Sequence, residues 1–258
     1  MDAYERVSRA RDGKRPTGAY FIDEMITDFT ELHGDRRFAD DGAIIGGIGR
    51  LCGKPVTVIA MERGKTIEER MKRNFGCPSP EGYRKALRLM QQAEKFSRPV
   101  ICIVSSPGAY CGIGAEERGQ GLAIAENLME MMTLKTPIVS VIAGEGGSGG
   151  ALALSVADSV FMLENAVYSV ISPEGCASIL WKDSAKAPEA AEALKLTAQD
   201  LLNFSVADKI IPEGNRSFEE ICEELKEALN EEIEKLSQLD DYRRYEDRYN
   251  KFRKIGQI

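Results

Sequence analysis

Residues 137–154 read PIVSVIAGEGGSGGALAL, and the fold class turns on them. A proline opens a β-branched apolar run at 138–143, the composition of a buried strand. Five glycines follow within seven residues, at 144, 146, 147, 149 and 150. Small apolar residues then resume in a helix-like pattern. The order strand, glycine loop, helix is the repeating unit of an α/β protein with largely parallel strands. It also leaves backbone N–H groups bare at a helix start, a place suited to a developing negative charge.

The same order occurs just upstream, with a strand at 99–104, a Gly/Pro loop at 105–114 and a helix at 115–132. Downstream, strands are predicted at 159–163 and 166–170, a helix around 177–181 opened by Ser172-Pro-Glu-Gly175, an alanine-rich helix at 187–196 and a last strand at 206–211. Nearer the beginning, Ser79-Pro80-Glu81 has the composition of a helix start, and Tyr83, Leu87 and Met90 mark its apolar stripe. Apolar runs at 43–51 and 55–61 flank Gly53-Lys54 and predict a hairpin; Phe21, Met25, Phe29 and Leu32 predict a helix over 19–32. The chain divides into an N-terminal arm (1–18), a main α/β domain (19–215) and a C-terminal helical segment (216–258). In the last, Ser217 and Glu220 form a capping box ahead of Phe218, Ile221, Leu225, Leu229, Ile233 and Leu236. The tail from Tyr242 is basic and aromatic. It reads as a docked helix or an oligomer contact ahead of an RNA-binding element.

Composition narrows the function. Hydrophobic residues make up 43% and charged residues 29%, values that allow a real core. The net charge of −7 gives no support to nonspecific nucleic-acid binding. Six cysteines stand without a C-x-x-C pair, which favours reduced thiols and a cytoplasmic setting over disulfides or zinc. No signal peptide is legible at the beginning, and no apolar run approaches membrane-spanning length.

The glycine loop admits several chemistries. Gly144-Glu-Gly146-Gly-Ser-Gly149 matches the dinucleotide fingerprint, with Glu164 near the spacing of a ribose-binding acid. Gly146-Gly-Ser148-Gly-Gly150 matches a nucleophile elbow, but the single histidine, His33, lies far upstream, so no Ser–acid–His order is available. A bare oxyanion hole made of backbone amides is the third reading. A tight glycine-packed turn with no chemistry is the fourth.

Longer stretches decide among these. SSPGAYCGIGAEERGQG (105–121), GEGGSGGALAL (144–154) and VYSVISPEGCASILWK (167–182) resemble the α subunits of bacterial acetyl-CoA carboxylase carboxyltransferase. RRFADDGAIIGGIGRL (36–51) and KRNFGCPSPEGYRKALRLM (72–90) extend the resemblance, which covers roughly 18–215. It implies a crotonase (ClpP/crotonase-like) fold, a spiral of ββα units with peripheral and C-terminal helices. It implies transfer of a carboxyl group from carboxybiotin, borne on the biotin carboxyl carrier protein, to acetyl-CoA, giving malonyl-CoA for fatty acid biosynthesis. The implied partners are a homologous carboxyltransferase β subunit in an α2β2 heterotetramer, the carrier, and biotin carboxylase in the whole complex. Zinc is expected on the β subunit alone, and no cofactor is expected to be covalently bound here. Family members commonly carry a helical extension ahead of the motif region, which is short in this chain.

By motif position, the resemblance implies that the Gly149 and Gly150 amides hold the biotin oxyanion. Gly108, Ala109, Tyr110, Gly146, Gly147, Ser172 and Glu174 are expected around the biotin pocket; Glu174 has the simpler alternative of favouring its own helix start. Arg73, Arg84 and Lys85, within a basic cluster that includes Arg70, Lys72 and Arg88, are expected to draw the phosphates of CoA, with a solvated helix face as the alternative. A dinucleotide-binding oxidoreductase and a stand-alone crotonase-like hydratase are the rival functions.

Overall fold

A computed structural model describes residues 1–256. The chain opens on α1 (Ala3–Ala10), where Asp2 and Glu5 form a reciprocal capping box and Ala3, Val7 and Ala10 make a buried stripe. The expected arm is therefore a docked helix. α2 (Gly18–Met25) ends earlier than the apolar spacing suggests, and β1 (Thr27–Glu31) follows it. Tertiary packing decides this: a Cβ on Gly47 would meet the Phe29 ring at 2.8 Å. Phe29 is thus drawn onto the sheet and away from a helix face.

β2 (Ile44–Leu51) and β3 (Lys54–Met61) form the predicted hairpin, with Leu51 opposite Lys54. Its two-residue turn is Cys52-Gly53, one residue before the expected pair, and both residues have positive φ as the strand twist demands. α3 (Ile67–Lys72) lies in the charged segment that follows. α4 (Pro80–Lys95) starts where predicted. Ser79 contributes its backbone instead of its hydroxyl, donating N–H to Asp41 Oδ2 at 2.6 Å.

β4 (Val100–Ser106) leads into α5 (Ile113–Glu117) and α6 (Gln120–Thr133), which Gly119 separates at φ +81° where one continuous helix was expected. β5 (Ile138–Gly147) runs four residues past its predicted end, so α7 (Ser148–Leu152) starts directly from the strand. β6 (Ser159–Leu163), β7 (Val167–Ser169), α8 (Pro173–Trp181), α9 (Ala187–Leu194), α10 (Ala198–Asn203) and β8 (Lys209–Ile211) complete the middle of the chain.

The sheet order is β1-β2-β3-β4-β5-β6-β8. The pairs β1–β2 and β2–β3 are antiparallel, and from β3 onward the pairing is parallel. β5 serves two partners on one edge. Its first half pairs β6 (Val139 with Ser159), and its second half pairs β7 (Glu145 with Val167). That change of partner explains the extra strand length: the glycines at 146 and 147 lie flat in a ladder. Val58, Ile59, Ile101, Val139, Val141 and Ile142 are fully buried in the centre, each stabilising the fold by roughly 1.5–3 kcal/mol.

α11 (Phe218–Ser237) and α12 (Asp241–Lys254) return to this same core. Ile221, Leu225 and Leu229 pack with the strand residues. Arg248, in the basic tail, is fully buried and donates to both oxygens of Asp158 at 2.9 Å. Arg244 is buried too and donates to the Leu236 and Leu239 carbonyls. Two of the tail's guanidinium groups are turned inward to fix the helix, which weakens the case for RNA. Among the described residues, no helix is long and apolar enough to cross a membrane.

Candidate functional site

Two loops meet at the carboxyl ends of neighbouring parallel strands. Ser106 of β4 pairs in register with Gly146 of β5, so residues 107–112 and the start of α7 leave the sheet side by side. Close approach is enforced by missing side chains. A Cβ on Gly147 would meet the Pro107 carbonyl oxygen at 2.1 Å. One on Gly150 would meet Ala109 N at 2.5 Å and Gly108 C at 2.8 Å. No L-residue with a side chain fits at either position without moving backbone. Gly149 differs, since its added Cβ would find only Ile124 Cγ2, at 3.7 Å.

Between strand and helix stands Ser148, exposed and at φ +55°, an unusual conformation for serine that turns the chain sharply into α7. Among the described residues its hydroxyl has no hydrogen-bonded base to activate it. His33 pairs instead with Asp40 at 3.0 Å on an exposed segment. What the turn presents is backbone. Within α7 the N–H groups of Gly149 and Gly150 precede the first intrahelical bond, and no side chain caps them. Neither amide, nor that of Ala109 across the gap, has an acceptor among the described residues. Three free N–H donors from two loops therefore lie close together.

The other loop residues have supporting parts. Gly108, at φ +150°, donates N–H to Ser106 Oγ at 3.1 Å, and Ser106 Oγ donates back to the Gly108 carbonyl at 2.8 Å. Tyr110 N donates to the Pro78 carbonyl at 3.0 Å, and its ring is partly exposed. Gly146 lies under Tyr168, whose Cδ2 stands 2.9 Å from the position a Cβ would take. Gly146, Gly147, Ser148, Ser169 and Ser172 line a cleft of about 30 Å³. Ser172 Oγ accepts from Gly175 N at 3.1 Å and caps α8.

Glu174 is tied to a residue that sequence reasoning missed. Arg11, just after α1, donates to Glu174 at 2.8 Å and to Glu145 at 2.6 Å. Burial alone would raise the Glu174 carboxyl; the Arg11 guanidinium outweighs it and holds the group below its ordinary range. Nothing local predicts a contact across 163 residues, although the capping box and the Ala3, Val7, Ala10 spacing do announce the helix that carries it. Arg11 also lines a cavity of about 160 Å³ with Arg63, Arg70, Ser106, Pro107 and Glu145. Arg63 is a second missed residue. Its burial, with the charge of Arg70 adding to it, lowers its guanidinium from the ordinary value.

The basic cluster divides. Lys85 is fully buried and donates to Asp40 at 2.7 Å. Arg84 is nearly buried, 2.8 Å from both Asp35 and Glu81. Both cations are already neutralised inside the fold, so the expectation that they attract CoA phosphates is corrected: they hold α4 to residues 35–41. Arg73 remains near the surface, bonded to the Gly42 carbonyl. A cleft of about 470 Å³ lies along α4 and α6 around Arg36, Arg88 and Glu126. It does not include the glycine loops, where the unpartnered donors are.

The fingerprint reading fails on geometry. Gly144 and Gly146 are strand residues, whereas a dinucleotide loop needs its glycines in the turn. Glu164, the supposed ribose acid, is occupied by the N–H groups of Glu213 and Gly214, which hold its carboxyl low.

Comparison with known proteins identifies the family and the fold. A family model described as acetyl co-enzyme A carboxylase carboxyltransferase-like matches residues 1–256. The acetyl-coenzyme A carboxylase carboxyl transferase subunit alpha of Ruminiclostridium cellulolyticum is 57% identical over 258 residues, covering 100% of this chain and 99% of that one. The expected contrast at the N-terminus is therefore absent in this relative, whose match includes the first residues. A Clostridium tetani protein named as subunits beta/alpha of the same enzyme is 54% identical and covers 100% of this chain, which spans 45% of its length. Among solved structures, transcarboxylase 12S superimposes with a TM-score of 0.66 at 20% identity, over 78% of this chain and 39% of that one. The β subunit of Pseudomonas aeruginosa geranyl-CoA carboxylase gives 0.66 at 16%, over 91% and 44%. These two share the crotonase-like α/β fold. Full-length identity above one half and a family match over every described residue lead to one conclusion: the chain belongs to the carboxyltransferase α subunits of acetyl-CoA carboxylase.

Proposed function

We propose that this chain, with a homologous β subunit in an α2β2 assembly, moves the carboxyl group of carboxybiotin from a carrier protein to the methyl carbon of acetyl-CoA, and that Gly149 and Gly150 hold the biotin oxygen that becomes negative. The observation that carries the site assignment is the trio of unpartnered N–H groups at Ala109, Gly149 and Gly150, beside a contact too tight for any Cβ at Gly150.

The donor set suits the group. Carboxybiotin supplies an activated carboxyl, its loss leaves charge on the ureido oxygen, and the biotin anion so formed would take the proton that the acetyl-CoA methyl group gives up. Backbone N–H groups at a helix start, fixed by the strand before them, meet that charge with little reorganisation. No side-chain nucleophile or general acid is required, which accounts for the lack of a triad around Ser148. Gly146, Gly147 and Ser172 shape the approach, and Tyr110 forms its outer wall. Glu174 acts through Arg11, which links β5 to α8, and does not reach the oxyanion. Arg73 draws the phosphates of CoA by Coulomb attraction, now without Arg84 and Lys85. The second charge, on the acetyl-CoA enolate, is assigned to the partner subunit, as is zinc. Biotin carboxylase completes the complex, and the reaction is placed in the cytoplasm.

The test is coexpression with a carboxyltransferase β subunit and measurement of malonyl-CoA-dependent carboxylation of biotin, against each subunit alone. Turnover is expected from the pair only. Full turnover by this chain alone overturns the partnership. Wild-type turnover by a Gly149→Val pair overturns the oxyanion assignment.

A further inference from the structure

Tyr83, one turn into α4, is fully buried, yet its hydroxyl has no hydrogen-bond partner. Burying a hydroxyl unpaired opposes folding, and phenylalanine would fill the same space without that penalty. The hydroxyl lies against the site. It stands 2.9 Å from the position of a Cβ on Gly150, and that same point is 2.5 Å from Ala109 N and 2.8 Å from Gly108 C. The orphaned phenol thus sits at the junction of the two loops, near the Gly108–Ala109 peptide.

Its backing is rigid. Asp41 accepts from Ser79 N at 2.6 Å and from Ala43 N at 2.9 Å, and Glu81 pairs with Arg84 and Arg118 at 2.8 Å each. Gln120 Nε2 donates to the Pro78 carbonyl at 2.8 Å and to the Tyr110 carbonyl at 3.1 Å, tying the start of α4 to the first loop. Across the gap, the Gly108 carbonyl accepts one bond, from Ser106 Oγ, and keeps a second lone pair. Burial, reinforced by the nearby Cys77 and Asp41, raises the phenol well above its ordinary value, so it stays protonated and remains a donor.

We propose that Tyr83 is a positioning residue for the carboxyl transfer: its hydroxyl donates to the Gly108 carbonyl in the substrate complex, orienting and polarising the peptide whose N–H is that of Ala109. A chain O–H to O=C–N–H to oxyanion strengthens the last donor cooperatively. It also fixes the spacing between Ala109 and Gly150. The inference rests on the oxyanion reading given above.

The experiment compares wild type, Tyr83→Phe and Gly149→Val, each coexpressed with the β subunit, in malonyl-CoA-dependent carboxylation of biotin and in thermal melting. For Tyr83→Phe we expect kcat to fall at least tenfold, KM for malonyl-CoA to stay within twofold, and Tm to hold or rise. A kcat that falls less than tenfold marks a tyrosine that serves packing alone and overturns the inference. If Gly149→Val abolishes turnover while Tyr83→Phe retains it, Tyr83 has no part and the oxyanion reading survives; if Gly149→Val is fully active, that reading fails first. A crystal structure of the wild-type complex with biotin bound does not depend on any variant folding. Tyr83 Oη within hydrogen-bond distance of the Gly108 carbonyl supports the proposal, and Oη bonded only to groups outside both loops overturns it.

Discussion

Adding one methyl group at position 150 is the sharpest perturbation available. In Gly150→Ala the new carbon would lie 2.5 Å from Ala109 N, where ordinary contact begins near 3.4 Å. The two loops must part by about 0.9 Å, and a misplacement of about 1 Å in a positioned site lowers rate roughly 10²-fold. That is about 2.7 kcal/mol of transition-state stabilisation, the lower end of what one lost oxyanion donor costs. Stability should suffer less. Overpacking costs about 1–3 kcal/mol, offset by roughly 0.5–1 kcal/mol from replacing glycine with alanine in a helix. Gly149→Ala is the control, since its methyl meets only Ile124 at 3.7 Å; it should melt at or above the wild-type temperature. The assay is carboxylation of biotin from malonyl-CoA by the coexpressed subunits, with a thermal melt of each complex. A folded Gly150→Ala complex turning over within threefold of wild type would refute the claim that the loop contact sets the donors.

Three further outcomes follow from other parts of the fold. Arg248→Met should leave the buried Asp158 carboxylate uncompensated and cost about 3–5 kcal/mol, seen as a lower urea midpoint; an unchanged midpoint would show that α12 is not held by this pair. Asp40, although burial pushes it up, is brought down to about 2 by Lys85 and the Gly34 N–H. Its folded value lies below the ordinary 3.8, so its stabilisation is complete above that pH and is lost as pH falls towards 2. Asp40→Asn should therefore flatten the acid limb of stability against pH, and an unaltered limb contradicts the assignment. Cys52 and Cys111 are exposed, whereas burial pushes the Cys102 and Cys222 thiols up to about 12. Iodoacetamide at neutral pH should label the first two in the native chain and spare the second two, as read by peptide mass spectrometry.

The parts of this fold legible in the sequence are those that local chemistry controls. Ser79-Pro80-Glu81 announces α4, Ser217 and Glu220 announce α11, and the alternation around 99–154 announces parallel strands. The spacing of four apolar residues puts Phe29 on a helix because it is silent about Gly47, the bare patch that draws the ring onto the sheet. The end of β5 is hidden because glycines signal a turn locally, whereas β7 supplies a second ladder for Gly146 and Gly147. Lys85 and Arg84 look like a basic surface in one dimension. Their acids come from 35–41 and from Glu81, and only the hairpin's placement brings the first group near. Of the candidate site, the meeting of two glycine loops after neighbouring parallel strands is legible in the sequence, while the role of Gly149 and Gly150 rests on family resemblance and is a proposal. The Arg11 bridge and the orphaned Tyr83 hydroxyl are not legible there, because each depends on atoms far away along the chain.

A recognition surface made of main chain, as proposed for Gly149 and Gly150, would have a pharmacological consequence. An inhibitor whose anion docks on the amides of Gly149 and Gly150 relies on hydrogens that persist through every ordinary codon change. At Gly150 the escape route by added bulk is blocked as well, because the Ala109 nitrogen leaves no room even for a methyl group. Resistance would have to arise at the rim, at residues such as Tyr110 or Ser172, where a side chain can change without displacing backbone.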